Sequence, residues 1–125
     1  MISGIGIDII EVGRVRDVVE RHGDRFLRRI YSEAEIAGIH GNREQYLAAR
    51  FAAKEAAFKA LGTGWRGVRW VEVEVENLPS GQPILKLSGE ARRRADDLGA
   101  TRYHVSLTHT AEYAAAQVVL EGPES

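Results

Sequence analysis

The sequence predicts an α+β fold: an antiparallel sheet packed on one long central helix. Three observations carry this. Apolar and other residues alternate near both ends, at Ile5, Ile7 and Ile9 and again at Val105 and Leu107, with the period of strands. A third alternation, Val71, Val73 and Val75 against Glu72, Glu74 and Glu76, is followed by turn residues in Asn77–Pro83, the pattern of a hairpin. Between these lies Arg50–Gly64, RFAAKEAAFKALGTG, whose period is helical. The 125 residues suit one domain, taken as 1–125. A net charge of −1 gives no general pull toward nucleic acid or a membrane surface. The absence of cysteine removes disulfides and thiolate metal sites. No apolar run is long enough to span a bilayer, and the start lacks the basic-then-apolar pattern of a signal peptide. The expected location is cytoplasmic, without nucleic-acid or membrane partners.

Taken in order, Ile2–Ile7 reads as a strand extending toward Ile10, with Ile5, Ile7 and Ile9 on one face and Gly4, Gly6 and Asp8 on the other. Two glycines beside an aspartate leave room for a close approach to the backbone. Asp8-Ile9-Ile10-Glu11 also has the form of a helix capping box, so Asp8 reads equally as a cap or a functional carboxylate. Glu11–His22 is the first helix, stopped by Gly23. Val12, Val15, Val19 and Phe26 form its inner side, and Arg14, Val18, Arg21 and Arg25 its outer side. That stripe is a solvated face or a docking surface for an acidic partner. Ser32–Glu35 is a second capping-box form, opening a short helix to about Ile39, and Asn42 with Gln45 caps the central helix. Trp65–Trp70 is a loop, Ile84–Leu87 the return strand, and Ser88 the cap of a helix ended by Gly99, with a solvated run Arg92-Arg93-Arg94. Thr101–Thr110 and Tyr113–Leu120 are the last strands, and Glu121–Ser125 a ragged end.

The central helix carries the chemistry. Leu47, Phe51, Phe58 and Leu61 form one stripe, and alanines cover most other faces, the pattern of a helix buried all round. Arg50 and Lys54 follow one edge of the stripe, Glu55 and Lys59 the other. Buried charges need partners or a ligand. Glu55 and Lys59 also have the spacing of a weak surface ion pair. Gly62 and Gly64 end the helix in a form that suits a left-handed cap. Ser106-Leu107-Thr108-His109-Thr110, at a strand end, reads as an ordinary structural histidine or as hydroxyls and imidazole for phosphate oxygens.

Together GIGIDIIE, RFAAKEAAFKALGTG and VSLTHT, in this order and spacing, resemble the holo-acyl-carrier-protein synthase family of 4′-phosphopantetheinyl transferases, over almost the whole chain. The resemblance implies transfer of phosphopantetheine from coenzyme A to a serine of an apo-acyl carrier protein, releasing adenosine 3′,5′-bisphosphate, in support of fatty acid or polyketide synthesis. It implies that Asp8 and Glu55 hold a magnesium ion, with Lys59 stabilising charge beside them. It implies coenzyme A contacts from Arg50, Lys54, Gly62, Gly64, Ser106 and His109. Carrier docking would fall to Arg14, Val18, Arg21, Arg25 and Phe26. Short members are homotrimers with the site between chains, so Asp8 and His109 are expected from different subunits. The proton acceptor is left open among Glu55, Glu11 and a water on the ion.

Two departures stand out. Ala57 precedes Phe58-Lys59 where many relatives read A-F-S-K, so the serine before the lysine is missing. Thr108 replaces a common serine and keeps the hydroxyl. The competing class is a non-catalytic oligomeric domain that binds coenzyme A or another nucleotide.

Overall fold

The computed structural model describes residues 1–62, 64 and 66–124; what the sequence suggested for Thr63, Trp65 and Ser125 lies outside them. A three-stranded antiparallel sheet packs on one helix. The strands are β1 (Ile2–Glu11), β4 (Arg102–His109) and β5 (Tyr113–Glu121), in the order β1-β5-β4. The helix is α4 (Arg43–Leu61). A separate hairpin, β2 (Val73–Asn77) with β3 (Pro83–Leu87), adds a second small sheet. The expected single sheet is therefore two.

Seven alanines from Ala48 to Ala60 are buried along α4, as are Leu47, Phe58 and Leu61. Small side chains bring backbones together, and β1 exploits this. A Cβ at Gly6 would lie 1.8 Å from the Ala56 carbonyl oxygen, and one at Gly4 2.2 Å from that of Ala60. Only glycine permits this approach. The glycine face of β1 thus presses on α4 and carries Asp8 to the same helix. The opposite face turns outward, leaving Ile5, Ile7 and Ile9 exposed at 58%, 64% and 67%.

The smaller helices flank this core: α1 (Val12–His22), α2 (Asp24–Ile30), α3 (Glu33–Ala37) and α5 (Gly89–Asp97). Val12, Val15 and Val19 are buried as expected, while Phe26 is only half-buried. The Ser32 capping box forms, and Asn42 accepts from Gln45 N at 2.9 Å. Four details differ from the sequence reading. The Asp8–Glu11 box does not form, because β1 stays extended through Glu11, and the first helix starts at Val12, whose N donates to Glu112 O at 2.8 Å. Val71 lies in a 3₁₀ turn, Trp70–Glu72, rather than a strand. Ser88 makes no side-chain cap; Glu72 Oε1 accepts from Ala91 N at 3.4 Å. The tail is held through Gly122, whose N donates to Met1 O at 2.8 Å. The arginine run on α5 is ion-paired at the surface, Arg92 to Asp96 at 3.3 Å and Arg93 to Asp97 at 2.7 Å.

Candidate active site

Two clefts lie on opposite flanks of α4, and they share no residue. The first, of about 340 Å³, is lined by Asp8, Ile9, Ile10, Arg14, Val15, Val18, Phe26, Phe51 and Glu55. Asp8 reaches it from the glycine face of β1, and Glu55 from the helix pressed on that face. Lys59, one turn on, donates to Ile7 O at 2.9 Å and to Asp8 Oδ1 at 3.2 Å. Lys59 thus bridges to Asp8, rather than forming the weak surface pair with Glu55 that the spacing also allowed. Burial and the neighbouring Asp8 carboxylate push the Glu55 carboxyl above its usual range, while Lys59 pulls it back. Two carboxylates crowded together, one partly desolvated, favour a cation between them.

The donor set suits a hard ion that keeps outside ligands. Among the described residues no three or more acidic or histidine side chains form a cage. Two carboxylates plus water and substrate oxygens are the usual supply for magnesium. The residues present therefore fit the expected ion.

The apolar wall of this cleft leads onto α1. Phe26 stacks on Phe51 with centroids 6.4 Å apart, and Phe51 on Trp70 at 5.1 Å. Phe51, expected inside, is half-buried and forms part of the cleft. Arg14 and Val18 line the same cleft as Asp8 and Glu55, so part of the arginine-bearing face expected to dock an acidic partner borders the carboxylates. Arg21 and Arg25 are exposed, and Arg25 lines a groove with His22, Phe26 and Arg29. Among the described residues, only Arg16 of this basic stretch is ion-paired, to Asp17 at 3.8 Å.

The second cleft, of about 300 Å³, gathers Arg50 and His109 with His40, Tyr46, Asn77, Gly81 and Pro83 among its walls. Arg50 is 6% exposed, with its guanidinium carbon 3.8 Å from the centre of the Tyr46 ring. Its Nε is buried and has no hydrogen-bond partner among the described residues. Such an orphaned donor calls for an acceptor, and an anion would supply one. His40, Tyr46 and Asn77 were not singled out from the sequence: Tyr46 lies one turn before Arg50 on α4, while His40 and Asn77 reach it from the loop before α4 and from the hairpin.

Other expected contacts distribute unevenly. Lys54 is 0% exposed and pairs with Glu35 Oε1 at 2.7 Å. It lines neither cleft, so the contact with coenzyme A expected of it is not where the structure places its side chain. The cause is rotation: Lys54 sits on the flank of α4 covered by α3 and β2. Ser106 shares the outer face of β4 with His104 and Thr108, three residues and hence one face away from His109. Gly62 and Gly64 adopt φ of 77° and 58°, a left-handed exit from α4 that a side chain would resist.

The comparisons agree across the chain. A family model described as the 4′-phosphopantetheinyl transferase superfamily matches residues 4–118. A holo-[acyl-carrier-protein] synthase of Solibacter usitatus is 51% identical over 124 residues, covering 97% of this chain and 99% of that protein. The crystal structure of the synthase from Neisseria meningitidis is 34% identical, with a TM-score of 0.88 over 97% of this chain and 99% of that one. The Bacillus anthracis synthase, solved in complex with CoA (3′,5′-ADP), is 41% identical, with a TM-score of 0.79 over 98% of this chain and 99% of that one.

Proposed function

The chain belongs to the 4′-phosphopantetheinyl transferase superfamily and transfers 4′-phosphopantetheine from coenzyme A to apo-acyl carrier protein, and we propose that its two clefts divide this work. The observation that carries the reading is the convergence of Asp8 and Glu55 on one cleft, beside Lys59 and the α1 stripe. Asp8 and Glu55 would hold a magnesium ion. When bound, the ion neutralises charge on the diphosphate. Lys59 adds positive charge at the same place, where electrons accumulate as the bond breaks. The serine oxygen attacks the β-phosphorus, and the bond to the bridging oxygen breaks. Adenosine 3′,5′-bisphosphate leaves with the electron pair. The serine hydroxyl gives up its proton as it attacks, to a carboxylate at this cleft or to water.

The second cleft binds the nucleotide. Arg50, His109 and the hairpin wall meet its phosphate and sugar, with Gly62 and Gly64 shaping the backbone near the diphosphate. The two clefts lie on opposite flanks of α4 and share no residue, an arrangement that suits sites completed by a neighbouring chain. A homotrimer with sites between neighbours provides this, and Ser106 and the exposed isoleucines of the outer sheet face supply its contact surface. A non-catalytic binding domain would have no use for the Asp8–Glu55 pair. Cytoplasmic work in fatty acid synthesis follows from the substrate; among the described residues no helix is long and apolar enough to cross a membrane.

Acidic carrier proteins fit the arginine stripe, with Val18 and Phe26 as apolar contacts. Arg14→Glu is expected to raise KM for carrier protein about tenfold while sparing KM for coenzyme A; an equal rise in both would refute the docking role. The transfer itself is tested by incubating the protein with coenzyme A, magnesium and an apo carrier. Mass spectrometry is expected to show the gain of one phosphopantetheine, lost on chelation. An unmodified carrier would overturn the activity. Full modification in excess chelator would overturn the metal.

A further inference from the structure

Glu35 and Lys54 are buried charges that neither cleft uses. Their surroundings explain why they persist. Among the described residues β2 has one strand neighbour, β3, and its other edge has none. On that edge Val75 N donates to Glu35 Oε2 at 3.0 Å, and Val73 O accepts from Lys54 Nζ. The ion pair thus makes the hydrogen bonds that a neighbouring strand would make. Lys54 also donates to Glu35 Oε1 at 2.7 Å and to Trp70 O at 3.3 Å, and the same carboxylate oxygen accepts from Ser32 N at 3.0 Å. One node joins α3, α4 and the entry to β2. β2 ends at Asn77, and Asn77, Gly81 and Pro83 line the cleft that holds Arg50, which is one turn before Lys54 on α4.

Stability alone does not account for such a pair, since well-packed apolar replacements of buried ion pairs are often as stable. A strand neighbour made of two side chains, however, fixes both the register and the distance of the hairpin. We propose that Glu35 and Lys54 are positioning residues for the second cleft: they hold the β2–β3 hairpin at the separation from Arg50 that coenzyme A requires. This rests on the reading of that cleft as the nucleotide site.

The test is the double variant Glu35→Gln/Lys54→Met, which leaves no unpaired buried charge. Coenzyme A affinity, by calorimetry, and KM for coenzyme A are expected to worsen about tenfold, because small misplacements of a binding wall are costly. KM for carrier protein is expected to stay unchanged. A folded double variant with native coenzyme A affinity, or with equal losses for both substrates, overturns the proposal. Arg50→Ala separates the two layers. If it weakens coenzyme A binding and the double variant does not, positioning fails and the cleft reading survives. If it leaves binding intact, both fall. Amide exchange on the native protein gives a measurement independent of variant folding. Coenzyme A is expected to slow exchange at Val75 N, since coupling is reciprocal, and an unchanged rate counts against the node.

Discussion

Glu55 and Lys54 are neighbours in the chain, and the structure gives them opposite fates. Glu55 opens onto the first cleft with Asp8, and Lys54 is sealed against Glu35. The sequence identified both as charges that needed partners. It could not tell which partner each meets, because Glu35 lies 19 residues away and its place depends on how α3 folds back. Glu55 carries a cost that can be measured. Burial and Asp8 raise its pKa in the folded chain. A carboxyl that binds protons more readily when folded makes stability fall as pH rises through its pKa. The cost is fully present above the folded pKa and gone below the unfolded one, about 4.3. Glu55→Gln removes it. Metal-free Glu55→Gln is therefore expected to melt a few degrees above the native protein at pH 7, with the gap closing near pH 4. Transfer by the variant is expected to fall about a hundredfold or more. A native protein more stable than the variant at pH 7 would mean that the carboxylate is already compensated. A Mn²⁺ titration followed by electron paramagnetic resonance, with coenzyme A present, is expected to show one ion per chain, lost in Glu55→Gln; retained binding would remove Glu55 as a ligand.

The β1–α4 contact decides the site's geometry at the level of elements. Gly4 and Gly6 let the strand lie on the helix, and Asp8 follows two residues later on the same face. Gly6→Ala places a Cβ 1.8 Å from a backbone oxygen that cannot rotate away. A loss of about 3 kcal/mol or more is expected, read from the urea midpoint. An unchanged midpoint would show that β1 can lift off the helix without cost. The glycines, the alanine-rich helix and the local caps at Ser32 and Asn42 were legible because each signal lies within a few residues of its effect. What was not legible depended on distant groups. Glu72 takes over the cap expected from Ser88. β1 pairs with β5 through Glu11, which keeps Asp8 and Glu11 extended where the box would have needed a helix. α2 follows α1 after the single residue Gly23, and its charges hid a short helix that buries only Leu27 and Ile30.

The molecule as a whole presents the two clefts on either side of α4, with two strand spacings between β1 and β4. Asp8 stands at one edge of the sheet and His109 at the other. The outer face of the same sheet leaves three isoleucines open to water, a surface that asks for a partner. Resemblance, not periodicity, suggested that neighbouring chains complete each other; the separation of the clefts is the physical support for it. Subunit mixing tests this directly. Asp8→Asn and His109→Ala proteins, each expected to be nearly inactive alone, are unfolded together and refolded as a mixture. Random assortment leaves about one site in four with both native halves, so transfer is expected to recover to roughly a quarter of the native rate. Activity that stays at the sum of the two separate preparations, with assembly intact, would contradict a site built from two chains.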